Sequence, residues 1–228
     1  MARSRATRVL SPALAYDLWA PSYPACAHNP LMEAEQQAVV ACLARVRAVR
    51  ALDVGTGSGR YLPILASTGA TTIIGLDRSR GMLRQVGTGW RRVQADAERL
   101  PFCGATFDVI NASLMVGDVT DLDDWASGLA SLLTPGGHLI YSDFHPCWTA
   151  RRWQRTFTLP TGRLASVPYV PHAIADHRAA MRAAGLTIRA IHEPVVLPGA
   201  TGAAADFRRA WGAMPVAVVV HAVNGGAA

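Results

Sequence analysis

The sequence predicts an α/β protein, an open three-layer α/β/α sandwich in which a mostly parallel sheet is covered by helices on both faces. Three observations predict it. Short apolar runs alternate with segments of helical periodicity along nearly the whole chain, the pattern of strand–helix–strand units. An early apolar run, ALDV (51–54), opens directly into GTGSGR, a glycine-rich turn at the place where such sheets meet their ligands. A chain of 228 residues that is 50% hydrophobic can bury one sizeable core, which fits one domain better than two.

Each element has a local reason. MARSRATRVLS (1–11) is basic and serine-containing but lacks the apolar stretch and cleavage site of a secretory signal, so it reads as a loose arm. NPLMEAEQQAVVACLARV (29–46) has helical periodicity behind an Asn and a Pro that suit a helix start. RALDV is a short buried strand, YLPILAST a helix, TTIIGLD a strand, SRGMLRQV a helix begun by a serine cap, and RRVQAD a strand. TFDVINASL reads as a strand, DLDDWASGLASLL as a helix with acids in its first turn, and TPGGHLIYSDF as a turn and strand. PHAIADHRAAMRAAG is a helix closed by Gly185, and LTIRAIHEPVV and PVAVVVHAV are the last strands. Two stretches break the rhythm: 144–170, rich in aromatics and arginines, predicts an inserted hairpin or lid, and 198–214 a loop with a short helix. The expected organisation is an arm or cap over 1–28 and a single domain over 29–228.

Composition excludes several function classes. The net charge of +6 comes with no lysine at all, since all 22 basic residues are arginine. That is a bias spread along the chain, with no arginine block interleaved with aromatics, and it argues against a nucleic-acid partner. Cys26, Cys42, Cys103 and Cys147 have neither metal-site spacing nor the density of a disulfide scaffold, which points to a reducing, cytoplasmic setting. No apolar run is long enough to cross a bilayer. A monomer or homodimer is expected.

The turn at 55–59 carries the chemistry. Gly55, Gly57 and Gly59 permit a tight turn and let a ligand lie against bare backbone. A dinucleotide fingerprint would need glycine at 60, where Arg60 stands, and a carboxylate at Asp53 disfavours a phosphate and favours an ammonium-bearing ligand. Asp77 ends the next strand, where a carboxylate can accept from ribose hydroxyls. Asp96 ends the third, beside the small Ala97, where an exocyclic amine could be read next to a ring.

These residues, in ALDVGTGSGR, IIGLDRSRGML, VQADAERLPFCGATFDVI, LLTPGGHLIYSDFHP and YDLWAPSYPACAHNPL, resemble the class I S-adenosylmethionine-dependent methyltransferases. Within them the likeness is to the small-molecule (ubiquinone/menaquinone-type, methyltransferase type 11) subgroup, over roughly residues 14–145. The resemblance implies a Rossmann-like, seven-stranded sheet of order 3-2-1-4-5-7-6 with a lid after the fifth strand. It implies S-adenosyl-L-methionine as cofactor, S-adenosyl-L-homocysteine as product and a small-molecule acceptor. By this likeness the three glycines and Asp53 lie along the methionine portion and Asp77 holds the ribose. Met82 packs on the adenine, Asp96 and Ala97 contact it, Leu114 and Met115 line the cofactor, and Tyr16 and Tyr23 cover it. The chain departs from the subgroup at SLMVGDV, where Gly117 and Asp118 stand in place of a histidine.

Methyl transfer from a sulfonium is an in-line displacement that rests largely on positioning, with a base needed only for a protonated acceptor. Candidate bases are His145, His172, His177 and Asp118. His172 and His177 are too far round a helix for the usual metal spacing, so no metal is expected. In the lid, Trp148, Trp153, Phe157 and Tyr169 are candidates to wall an aromatic acceptor, and Arg151, Arg152, Arg155 and Arg163 to bind an acidic group on it. The expected function is methylation of O, N or C of a small organic metabolite, aromatic or acidic, in a biosynthetic pathway; the alternatives are an RNA or protein methyltransferase and a non-catalytic cofactor-binding partner protein.

Overall fold

RALDV forms a strand end to end, and its neighbours follow in the predicted alternation. The computed structural model describes residues 8–151, 153–159, 161–197 and 202–225. In chain order the elements are β1 (Arg8–Val9), α1 (Pro12–Trp19), α2 (Pro30–Leu43), β2 (Arg50–Val54), α3 (Leu62–Ala66), β3 (Thr72–Asp77), α4 (Arg80–Gln85), β4 (Arg91–Gln94) and β5 (Phe107–Ser113). After these come α5 (Leu122–Leu132), β6 (Leu133–Phe144), α6 (Cys147–Ala150), β7 (Arg155–Thr158), β8 (Leu164–Val167), α7 (Ile174–Ala183), β9 (Leu186–His192), α8 (Gly202–Trp211) and β10 (Ala217–Asn224).

The helices begin where their side chains can satisfy free backbone donors. Asn29 accepts from the Met32 N–H ahead of α2, Ser79 from the Met82 N–H ahead of α4, and Asp121 from the Asp123 and Asp124 N–H groups ahead of α5. Gly185, at φ +73°, closes the turn after α7.

Seven strands form one sheet in the order β4-β3-β2-β5-β6-β10-β9, which is the order the family resemblance implies. β10 runs antiparallel to β6 and β9, while β2 to β6 pair in parallel. Side chains alternate across the sheet. Leu139 and Tyr141 of β6 pack with Leu52, Trp125, Leu129 and Met181 under α5 and α7, whereas Ile140 points to the other face, with Val109, Val39, Leu43 and Leu62 under α2 and α3. The carboxyl ends of β2, β3, β4 and β5 therefore open at one edge of a core closed on both faces.

The loose-arm reading of 1–11 is corrected for Arg8–Val9, and the arm over 1–28 contains a helix. β7 and β8 form the antiparallel hairpin of the lid, and β1 adds to β8 in parallel, giving a second sheet of three strands. The cause is apolar burial: Leu10 and Ala15 pack against Phe157, Ala165 and Val167, and Trp19 stacks on Phe157 with ring centroids 4.9 Å apart. Residues 1–7 lie outside the described residues. No helix among the described residues is long and apolar enough to cross a membrane.

Phe157→Ala removes the ring that joins hairpin and arm. Hydrogen exchange is expected to accelerate in α1 and leave β2 unchanged, with a loss of about 3 kcal/mol in denaturant titrations.

Candidate active site

The turn after β2 is stitched from inside. The Asp53 carboxylate is 1% exposed and accepts from the Thr56 hydroxyl at 2.6 Å and the Asn111 amide at 2.7 Å. Burial pushes it up to about 6 against those two bonds. Its oxygens thus face the protein, and the expectation that Asp53 meets a ligand ammonium is corrected: it shapes the turn. Gly55 has φ +67°, and a Cβ there would stand 2.7 Å from Met115 Cγ, so only glycine fits. Gly57, at φ +56°, has nothing within 4 Å of where a Cβ would sit. Gly59 is likewise set inside the turn, donating to the Thr56 carbonyl.

The turn floors a crevice at the carboxyl ends of β2 to β5. Gly55, Gly57, Asp77, Met82, Asp96, Ala97, Leu114 and Met115 stand on its wall, with Tyr16 and Tyr23 from the arm, whereas Asp53 and Gly59 do not. Asp77 is fixed by two backbone donors, the Gly57 N–H on Oδ2 and the Ser79 N–H on Oδ1, each at 2.8 Å. Burial nevertheless raises its pKa, the two N–H groups offsetting part of the rise. Asp96 is more open, paired with Arg78 at 3.6 Å. Leu114 adopts φ +54°, and the Ser142 carbonyl and hydroxyl both accept from its N–H.

The arm is clamped over this crevice. Asp17 accepts from the Ser79 hydroxyl and the Gly81 N–H, Ser58 donates to the Pro24 carbonyl, and the buried Arg155 donates to the Tyr16 hydroxyl at 2.8 Å. Arg155 also pairs with Asp118 through both terminal nitrogens and donates to the Pro168 carbonyl. Arg155 therefore locks lid, arm and crevice wall together, and the expectation that it binds an acidic acceptor is corrected.

The candidate bases are placed differently from expectation. Asp118 is on the wall but is held by Arg155. His145 is off the wall: its Nδ1 accepts from the Cys147 N–H, leaving Nε2 to donate to Glu193 at 2.9 Å. His172 is buried, with Nε2 on the Val119 carbonyl. All three have structural partners. Among the described residues four buried side-chain atoms have no hydrogen-bond partner: Asp143 Oδ2 and His177 Nε2, which lie 4.0 Å apart, Arg155 Nε and Trp125 Nε1. Burial pushes Asp143 up to about 7 and His177 down to about 4, so below neutral pH and above about 4 a mostly protonated carboxyl faces a mostly neutral ring.

The lid aromatics are anchors. Trp148 is 1% exposed and donates to the Pro215 carbonyl, and Phe157 lies under Trp19. Trp153 packs on Phe144 and Tyr169, and Tyr169 bonds Thr149, in a cluster that touches the crevice through Leu114. None of the four is on the crevice wall. Arg152 lies outside the described residues.

Sequence reasoning missed Glu35, Asn111, Ser142 and Asp143. Glu35 had a signal: it sits on the apolar stripe of α2 with Leu31, Met32, Val39 and Cys42, where an acid needs a partner.

Residues 52–141 match the family model described as a methyltransferase domain. The chain is 33% identical over 133 residues to malonyl-[acyl-carrier protein] O-methyltransferase of Enterobacter lignolyticus, covering 57% of this chain and 52% of that protein. It is 32% identical over 106 residues to the ubiquinone/menaquinone biosynthesis C-methyltransferase UbiE of Haemophilus ducreyi, covering 42% and 41%. The match thus spans about half the length of these relatives. Among solved structures, an S-adenosylmethionine dependent methyltransferase from Mesorhizobium loti superposes with a TM-score of 0.68 over 83% of this chain and 97% of that one, at 23% identity, a likeness of fold.

The Asp143–His177 pair sets a pH signature. With its pKa raised from 3.8 to about 7, Asp143 contributes stability that is full below pH 3.8 and is lost as pH rises towards 7. His177, lowered from 6.5 to about 4, contributes in the opposite sense, its share being lost as pH falls towards 4. Asp143→Asn deletes the first effect and keeps the second. Relative to the parent, the variant should gain stability from pH 4 to 7, on the order of 1.4 kcal/mol per unit, read from urea titrations at several pH values.

Proposed function

We propose that this chain, a class I S-adenosylmethionine-dependent methyltransferase of the type 11 kind, methylates O, N or C of a small organic acceptor with an aromatic part. The observation that carries the reading is the Asp77 carboxylate. Two backbone N–H groups fix it on the wall of a crevice floored by the left-handed turn, with Met82, Asp96 and Ala97 beside it. These residues fit a nucleoside: a carboxylate for vicinal hydroxyls, a thioether and a methyl group for the faces of a ring, and a second carboxylate for an amine.

Bound in the crevice, S-adenosylmethionine supplies a methyl group carried on a sulfonium. The chain's part is to position and to exclude water. Tyr16 and Tyr23 roof the crevice, and the Arg155 bond to Tyr16 holds the roof down. Leu114 and Met115 present apolar surface where the floor meets the aromatic cluster of Phe144, Trp153 and Tyr169. The apolar surface of Leu114 and Met115 on the wall supports an acceptor with an apolar or aromatic part, and Arg155, committed to Asp118 and Tyr16, is not free to bind an acidic group. A reducing, cytoplasmic setting is proposed on the four free thiols.

Calorimetry with S-adenosylhomocysteine is expected to show one site per chain. Asp77→Asn should weaken it about 10- to 100-fold, the worth of hydrogen bonds to a charged acceptor. No heat of binding by the parent chain would sink the reading. A screen of small aromatic hydroxyl and amine compounds with methyl-labelled cofactor then identifies the acceptor.

A further inference from the structure

We infer that Glu35 is a positioning residue for the cofactor's amino-acid end: it aims the Arg60 guanidinium at the ligand's carboxylate and fixes the opposite wall at Leu114. The inference rests on the cofactor reading above and deepens it.

Strand order gives the crevice two ends. Asp77 and Asp96 follow β3 and β4, on one side of β2, so the nucleoside lies there. On the other side are β5 and β6, and the wall at that end includes Arg60, Tyr61 and Ser113. An amino acid extending from the nucleoside over the glycine turn ends at Arg60. Asp53, the acid nearest in sequence, is turned inward, so Arg60 is the fixed charge facing that end. Its pKa is raised: burial works against the charge, and Glu35, Tyr61 and Tyr23 together outweigh it.

Glu35 reaches this end from α2 and is fully buried. One carboxylate oxygen accepts from Arg60 at 3.1 Å and from the Tyr61 hydroxyl at 2.8 Å. The other accepts from the Ser142 hydroxyl at 2.6 Å, whose oxygen in turn accepts from the Leu114 N–H at 2.9 Å. One buried carboxylate thus holds a cation on one wall and, through Ser142, a residue with left-handed backbone on the other. A carboxylate removed from water is tolerated when fully bonded, and these three bonds satisfy it. Arg60 Nη1 also donates to the Met32 carbonyl and the Gln36 amide oxygen, each at 3.4 Å, which leaves the Nε–H and one Nη2–H of the fork for a carboxylate oxygen.

Two ligands sharing one nucleoside separate this role from general stability. S-adenosylhomocysteine carries the amino acid; 5′-methylthioadenosine replaces it with a methyl group. The full-length parent is expected to bind the first more tightly in calorimetry. Glu35→Gln keeps shape but removes the charge that holds Arg60, and should weaken S-adenosylhomocysteine at least tenfold while 5′-methylthioadenosine stays within twofold. Arg60→Met should give the same split, and the double variant little beyond either single one. Glu35→Asp should recover part of the loss.

A parallel loss of both ligands in Glu35→Gln, or no change in either, overturns the inference and leaves the crevice reading standing. Failure of the parent to bind either ligand overturns both. Should Glu35→Gln not fold, Arg60→Met decides alone, and equal affinities for the two ligands would refute the proposal.

Discussion

A reversal of the chain directly after β2 governs the rest of the molecule. The backbone must leave the sheet at Val54, turn through three residues with positive φ and start toward α3 while presenting the Gly57 N–H to Asp77. Nothing in a glycine turn holds itself in place, because glycine has the most conformational freedom to lose. The Asp53 carboxylate supplies the restraint, tying the turn to itself through Thr56 and to β5 through Asn111. Its elevated pKa shows the desolvation cost of placing an acid there, and the two short bonds offset that cost.

The same logic recurs at Arg155 and Glu35. Each is a buried charge joining three elements: lid, arm and crevice wall in one case, α2, the turn and β6 in the other. Buried ion pairs contribute little net stability over well-packed apolar groups, but losing one partner is costly. Their value here is geometric: each fixes an orientation that greasy packing would leave loose. Asp143 and His177 lack such a partner and respond by giving up charge.

How much of this was legible in the sequence depended on contact range. RALDV, the Ser79 cap and the Asn29 cap are local signals and read to within a residue or two. Strand order came through family likeness, since periodicity alone does not say which strands are neighbours. The crevice wall was largely legible because its residues cluster at strand ends. Side-chain direction was not: Asp53 looks outward by position and is turned inward by Thr56 and Asn111. Glu35 with Ser142 and Tyr16 with Arg155 are separated by 107 and 139 residues, so pattern could not pair them. Trp148, Trp153 and Phe157 were misread because aromatic residues in an insertion look alike whether they face a ligand or anchor the insertion to the domain.

Met115 occupies the space that a side chain at position 55 would need. The floor beneath the cofactor and the exit from β5 are therefore a single interlocking joint, although sixty residues separate them in sequence. A side chain at position 55 would collide with Met115 Cβ and Cγ, next in the chain to the left-handed Leu114. Crevice floor and β5 exit cannot be altered separately at this seam, which makes positions 55 and 115 a poor place to begin redesigning selectivity.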